Sequence, residues 1–345
     1  MAAFRSVLRV FAIVVLLAVA IAAGVGAWLW QDYRAFADTP LSIPGDGLEF
    51  SVKRGASLRQ IADGLAEKGI VREPRYLRLL GRERGDASRI KAGEYALTPG
   101  LTPVTLLDLL VSGRVIEYSL TLVEGWNFRE VLEAVREHPV IVDTLPAEAT
   151  ASDVMALLGH PDEHPEGRFF PDTYLFPRDT TDVQFLMRAF ERMDTILEDE
   201  WEQRAAELPL KDSYEALILA SIIEKETGRA DERTEIAGVF IRRLRKGMLL
   251  QTDPTVIYGL GDSFDGNLRR RDLEADNPYN TYRRAGLTPT PIAMPGRDAI
   301  HAALHPADGD ALYFVAKGDG SHQFSATLGE HNRAVRRYQL KGGNR

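Results

Sequence analysis

The sequence predicts an α+β protein carrying a single N-terminal membrane-spanning helix. Three observations support this. Val10–Trp30 is a run of 21 residues without a charge. Residues 48–115 alternate short strand-like and helix-like stretches. Residues 213–227 read as a helix that is apolar nearly all round yet carries two glutamates. The composition agrees with a folded chain: of 345 residues, 45% are hydrophobic and 27% charged, as in ordinary globular proteins. That length suits two domains or one large one. The balance of 42 Lys+Arg against 50 Asp+Glu leaves a charge of -8. An acidic chain is a poor match to phosphate backbones, so nucleic acid is not expected as a partner. Cysteine is absent, which excludes disulfides, thiolate nucleophiles and cysteine-based metal centres.

The apolar run is long enough for a helix to cross a bilayer core, which takes ~20 residues. Arg5 and Arg9 precede it, and Trp28 and Trp30 sit at its exit, where amphipathic rings favour the interface. The positive-inside rule then makes residues 1–9 a cytoplasmic tail, residues 10–30 the span, and the remainder extracytoplasmic. A cleaved signal peptide is the rival reading, with small residues around Ala22–Ala27 as the cleavage site. Its apolar region, though, runs only ~7–15 residues. Residues 31–47 are polar and hold Pro40, Pro44, Gly45 and Gly47, so they read as a linker.

Residues 48–115 form a small module. Leu48, Phe50 and Val52 alternate as one face of a strand. Ser57 is placed to cap a helix whose apolar stripe is Leu58, Ile61, Ala62 and Leu65. A second helix begins at Pro74, IKAGEYAL is a second strand, and a third helix runs from the cap Thr102 to the stop Gly113. This order resembles the LysM-like module that precedes the catalytic part of some cell-wall enzymes. A plain α+β spacer has the same pattern.

Residues 116–340 make the larger domain. A strand, a turn at Glu124–Gly125 and a helix occupy 115–135, and 136–165 are weakly patterned. Phe169, Phe170, Tyr174 and Phe176 crowd into one loop, either as a sugar-stacking surface or as a buried brace. Residues 182–207 read as a long helix with a stripe of Phe185, Leu186, Phe190, Met193 and Leu197.

The helix of 213–227 carries Glu224 and Glu226. At 100° per residue, Glu226 shares a face with Leu219, Ile222 and Ile223, while Glu224 points about 160° away. Desolvation disfavours the charged form of a carboxyl, so Glu226 is the candidate general acid. Glu224 is better placed for a salt bridge or a supporting contact. Two solvated helix-end charges fit the periodicity equally well.

The segments EGRFFPDTY (166–174), ASIIEKET (220–227), AGVFIRRLRKGMLLQTDPTVIYGLG (237–261), NPYNTY (277–282), GLTPTPIAMPG (286–296), HP (305–306), LYFVA (312–316) and GSHQFSATLGEHNRAV (320–335) resemble the YceG-like family of endolytic murein transglycosylases. The likeness extends over residues 8–339. It implies a single-pass enzyme of the cell inner membrane with its N-terminus cytoplasmic and its catalytic domain, 116–340, in the periplasm. It also implies a lyase that cuts the MurNAc-β-1,4-GlcNAc bond of nascent peptidoglycan strands without water and leaves 1,6-anhydro-MurNAc ends. Such an enzyme acts as a terminase of glycan polymerisation, beside peptidoglycan synthases and without a cofactor. By motif, Glu226 is the single general acid/base. Glu226–Thr227 also looks like the Glu–Ser pair of soluble lytic transglycosylases and goose-type lysozymes. A membrane-tethered glycan-binding scaffold without catalysis is the alternative.

Gln251, Thr252 and Asp253 precede Pro254 in a turn, and Asn280 and Tyr282 follow Pro278 in another. Loops on a rigid scaffold commonly carry binding residues, so these five, with Tyr258, are the candidate substrate contacts. Asp and Asn also stabilise turns through their own backbone. Pro289, Pro291 and Pro295 stiffen a loop. His301 and His305 have the i, i+4 spacing of metal ligands. No third ligand is evident, and position 302 is alanine rather than the glutamate of HExxH, so no metal is expected. His322 and His331 are expected to be structural or to line the cleft.

Overall fold

The structure is a computed structural model that describes residues 2–340 and the side chains of residues 11–340. The expected tail, residues 1–9 with Arg5 and Arg9, lies outside the described side chains. The chain divides into two compact units, residues 1–118 with 177–179, and residues 119–176 with 180–345.

The first unit begins with α1 (Ala2–Asp38). Its stretch from Phe11 to Asp38 has a mean hydropathy of 2.6 in its most apolar window, none of which is buried. It is the one helix among the described residues long and apolar enough to cross a membrane. The expected linker differs from the structure at its start, because α1 continues through residues 31–38. Gln31–Asp38 contains no Pro or Gly, and the breakers begin only at Pro40. Tyr33 and Leu41 are buried in the core of this unit. The hydroxyls of Tyr33 and Tyr76 donate to Glu83 and Asp32 respectively.

The unit continues as β1 (Leu48–Val52), α2 (Leu58–Glu67), α3 (Pro74–Glu83), β2 (Gly93–Leu97) and α4 (Pro103–Ser112). β1 and β2 pair antiparallel, with Leu48 opposite Leu97 and Val52 opposite Gly93. Ser57 with Gln60 and Thr102 with Thr105 form capping boxes, which satisfy helix-start N–H groups reciprocally. Gly113 ends α4 in the left-handed region. Phe50, Val52, Leu58, Ile61, Leu65, Tyr95 and Leu97 are buried together, so both helical and strand periodicities point into one core. Tyr95, fully enclosed, donates its hydroxyl to the Lys91 and Leu110 carbonyls at 2.7 and 3.1 Å.

The second unit holds most of β3 (Glu117–Thr121), then α5 (Phe128–Glu137), α6 (Ala151–Leu157), β4 (Thr173–Pro177), α7 (Asp182–Glu202), α8 (Ser213–Glu226), α9 (Arg233–Arg245), α10 (Asp253–Leu260), α11 (Arg270–Glu274), α12 (Arg297–Leu304), β5 (Tyr313–Ala316), β6 (His322–Ser325) and α13 (Leu328–Val335). β3 pairs with β4, and β5 with β6 as an antiparallel hairpin. α6 sits in the stretch read as weakly patterned, started by a Thr150–Asp153 capping box. α7 ends five residues sooner than its charged pattern suggested. α8 is the centre of the core. Ala216–Ala220, Ile222 and Ile223 pack against Met193 and Leu197 of α7, Ile236 and Phe240 of α9, and Ile300 and Ala303 of α12. Phe169, Phe170, Tyr174 and Phe176 are all buried. Phe169 stacks on Phe128 at 5.4 Å, so the aromatic loop is an internal brace and offers no sugar platform.

Gly93 joins β2 to the rest of its unit under a double constraint. Its φ is 143°, and a Cβ there sits 2.3 Å from Val115 Cγ1. Gly93→Ala is therefore expected to cost ~2–4 kcal/mol through backbone strain and overpacking, measured by chemical denaturation followed by circular dichroism.

Candidate active site

Glu226 is the last residue of α8, and Thr227 leaves the helix in extended conformation (φ −148°, ψ 133°). The half-buried Glu226 side chain opens into a cleft of about 430 Å³ whose lining includes Arg243, Gln251, Asp253, Tyr282, Tyr313 and His322. Burial pushes its carboxyl up from 4.5 to about 6. The Thr252 hydroxyl, donated to Oε1, opposes the shift. The Asp253 charge adds to it, and His322 and Arg243 reduce it. The surroundings of Glu226 are thus more polar than its helix face suggested, because it stands at the open end of α8 rather than along its packed length.

Four of the predicted contacts come together here. Thr252 is buried, its N–H donating to Thr281 Oγ1 at 3.1 Å. Thr255 Oγ1 donates to the Thr252 carbonyl at 2.8 Å and lies 2.9 Å from Thr281 Oγ1. This buried hydroxyl network fixes the Thr252 that bonds Glu226. Gln251 sits at φ 51°, a left-handed conformation that costs a non-glycine residue free energy and tends to occur at functional sites. Tyr282 donates its hydroxyl to Asp253 Oδ1 at 2.6 Å. Asp253 is therefore a second carboxylate in the cleft, which the sequence reading did not give it.

Tyr258 and Asn280 are not brought to the cleft. Tyr258 donates to Glu166 Oε2 at 2.9 Å and lines a separate cavity with Phe128 and Tyr279. Asn280 is fully buried, donating to the Leu273 and Ala275 carbonyls at 3.0 and 2.8 Å and accepting from Tyr282 N–H at 3.0 Å. Its role is the turn chemistry weighed for it, and through Tyr282 it holds the loop that faces Asp253. Glu224 accepts from Gly296 N–H at 3.0 Å, with Arg233 Nη2 at 3.8 Å. Burial raises its carboxyl too, yet it is absent from the cleft lining.

Glu166 is a rival acid that sequence reasoning missed, pushed up to about 7 by burial. Its oxygens accept from Phe128 N–H at 3.0 Å and from the Tyr258 hydroxyl, and it lines the Tyr258 cavity, apart from the Glu226 cleft. Arg243 was also missed. Its guanidinium donates to the Leu312 and Leu250 carbonyls, both at 2.7 Å, and lies over the Tyr313 ring. A signal existed, since Arg243 falls on the stripe Ile236–Phe240–Arg243 that α9 buries. At His301 and His305, α7 supplies a neighbour that the sequence could not show. Glu200 lies 2.8 Å from His301 Nδ1 and 2.8 Å from Arg297 Nε, and His305 Nε2 is 2.8 Å from the Gln203 carbonyl. A guanidinium already neutralises the one carboxylate of this cluster.

Residues 50–337 match the YceG-like family. The chain belongs to that family. Among its relatives, an endolytic murein transglycosylase of Bacillus subtilis (strain 168) is 31% identical over 307 residues, covering 84% of each chain. A protein of the same name from Streptococcus pneumoniae (serotype 2, strain D39) is 25% identical over 348 positions, covering 88% of this chain and 61% of that one. The crystal structure of a YceG-like protein from Listeria monocytogenes aligns with a TM-score of 0.53 and 28% identity, over 84% of this chain and 99% of the other.

The Glu226 environment has a consequence for stability. An ordinary glutamate has its pKa at 4.5, whereas folded Glu226 has it at about 6. The folded state then holds the extra proton, so stability falls as pH rises through that window and stays lower above it. Glu226→Gln is expected to raise Tm at pH 8 and leave it nearly unchanged below the ordinary glutamate pKa of 4.5, read by differential scanning calorimetry.

Proposed function

We propose that this chain is an endolytic murein transglycosylase in which Glu226 acts as single general acid and base. The observation that carries the reading is one carboxyl, free to face a cleft, held near neutral pKa by burial and oriented by a buried threonine. The names of the relatives support the substrate class.

Protonated Glu226 donates to the glycosidic oxygen between MurNAc and GlcNAc as the C1–O bond breaks through an oxocarbenium-like state. The 2-acetamido group of the same sugar stabilises C1. The C6 oxygen then bonds to C1, its proton passes to Glu226, and a 1,6-anhydro-MurNAc end is released. No water is consumed and the acid is regenerated. The Asp253 anion favours both the proton on Glu226 and the positive charge developing on the sugar. Residues 48–115, with strand–helix–helix–strand–helix order, serve as a LysM-like glycan-holding module. The apolar stretch of α1 anchors the chain in the inner membrane with the bulk of it periplasmic. That confines cutting to strands near the bilayer, as a terminase beside the synthases requires.

Asp253 favours one second reading, a hydrolase with a Glu226–Asp253 carboxylate pair. Digesting sacculi with the full-length protein in water enriched in ¹⁸O separates the two. Anhydro ends without label are expected by mass spectrometry. Labelled reducing ends assign a hydrolase, and uncut sacculi leave a glycan-binding scaffold. Glu226→Gln is expected to lower cleavage by ~10²–10⁴-fold, the usual loss for a general acid, with Glu224→Gln active. The reverse pattern identifies the other carboxylate. For the anchor, the expected result is a chain that begins at or next to Met1 and stays with inner membranes through a carbonate wash. A soluble protein processed near Ala27 contradicts it.

A further inference from the structure

His322 opens β6, and its ring faces the cleft of Glu226. Its Nδ1 lies 2.7 Å from Glu232 Oε2, and its backbone N–H donates to Glu232 Oε1 at 3.0 Å. Glu232 is buried and ends the short turn Ala230–Glu232 that follows α8. One carboxylate therefore takes both donors of one residue. An ionised carboxylate only accepts, so Nδ1 carries a proton, and in the neutral ring the lone pair sits on Nε2. A buried carboxylate behind a histidine fixes its tautomer and ring orientation in this way. Phe314 holds the ring edge to face, with centroids 5.4 Å apart at 90°. Nε2 has no hydrogen-bond partner among the described residues. In its neutral form the ring is an acceptor of fixed direction lining the cleft.

Arg243 only donates, and protonated Glu226 offers its proton to the leaving oxygen. Gln251 and the second Asp253 oxygen can also accept, but His322 is the ring acceptor whose direction is set by a buried carboxylate behind it. Sugar hydroxyls can donate or accept, so many side chains satisfy them. An amide N–H can only donate and requires an acceptor. We infer that His322, positioned by Glu232, is the acceptor for an acetamido N–H of the glycan and selects N-acetylated sugars at this cleft. This rests on the glycan-cleaving reading above and adds to it a specificity-determining residue.

Glu232→Gln tests the inference without changing shape. The amide has one acceptor oxygen for two donors. The backbone N–H has no alternative form, so it keeps the oxygen. The NH₂ then faces Nδ1, which must become the acceptor, and the proton moves to Nε2. A hydroxyl tolerates that reversal by turning round, whereas an amide N–H meets another N–H. The full-length protein with Glu226→Gln, which does not turn over, is labelled with ¹⁵N-histidine in detergent. It is titrated with tetra-N-acetylchitotetraose and with cellotetraose, which has a hydroxyl in place of each acetamido group.

The expected spectrum has the proton on Nδ1 of His322 and an Nε2 signal that moves with the N-acetylated sugar. Adding Glu232→Gln is expected to move the proton to Nε2. The same change should weaken the N-acetylated sugar about 10-fold, the loss of a buried hydrogen bond to an opposed donor, and leave cellotetraose nearly unchanged. A proton already on Nε2, or equal loss for both sugars, overturns the inference. If the sugar moves His331 but not His322, the inference fails and the glycan cleft stands. If it moves neither, both fail.

Discussion

A helix buried on every side cannot end in a charged carboxylate without cost, and the site is organised around that constraint. α8 is enclosed by α7, α9 and α12 through almost its whole length, so its last turn is fixed in position by the core of the domain. Glu226 stands at that end, where desolvation and the negative end of the helix dipole both favour the proton. The Thr252 hydroxyl partly compensates. An acid poised near neutrality results from these opposed effects, and it needs no unusual residue. Stability given up at this one position matches the general pattern that functional sites violate local rules which the scaffold then holds in place.

The groups around Glu226 come from three separate chain segments, and each is braced from behind. Thr252 is held by Thr255 and Thr281, Asp253 by Tyr282, and Tyr282 in turn by the buried Asn280. Arg243 is tied to three carbonyls, of Leu249, Leu250 and Leu312, before its charge reaches the cleft. Side chains locked by a supporting layer lose little freedom when substrate binds, which is what positioning requires.

Much of this was legible in the sequence because it follows from period. The apolar surround of α8 and the angular separation of Glu224 from Glu226 come from 100° per residue alone. The stripes of α2 and α7 follow the same way. Tyr258 shows where period was applied too late. The segment after Gln251 reads as a turn, but Pro254 and the capping geometry start α10 at Asp253. Five residues on, Tyr258 then points about 140° from Asp253 and reaches Glu166 instead of the cleft. The His322–Glu232 and His301–Glu200 contacts span 90 and 101 residues. No local pattern encodes such distances, since they exist only once α7, α9 and the hairpin have packed. The linker reading failed for a different reason. The breakers begin at Pro40, and Gln31–Asp38 contains none, so α1 runs on through it.

Asp253 bears most directly on the chemistry. A second carboxylate beside an acid is the usual mark of a hydrolase, yet its effect depends on what it can reach. Here its Oδ1 is engaged by the Tyr282 hydroxyl, and its charge raises the proton affinity of Glu226. The Tyr282 phenol holds this carboxylate in one orientation beside Glu226. In the mechanism proposed above, Asp253 held in that way serves to stabilise positive charge on the sugar. In that proposed cycle, the anion that keeps Glu226 protonated before cleavage also makes the carboxylate a stronger base afterwards, when it must recover a proton. One acid cycling between two states, as proposed, gains from its neighbour in both halves of the reaction.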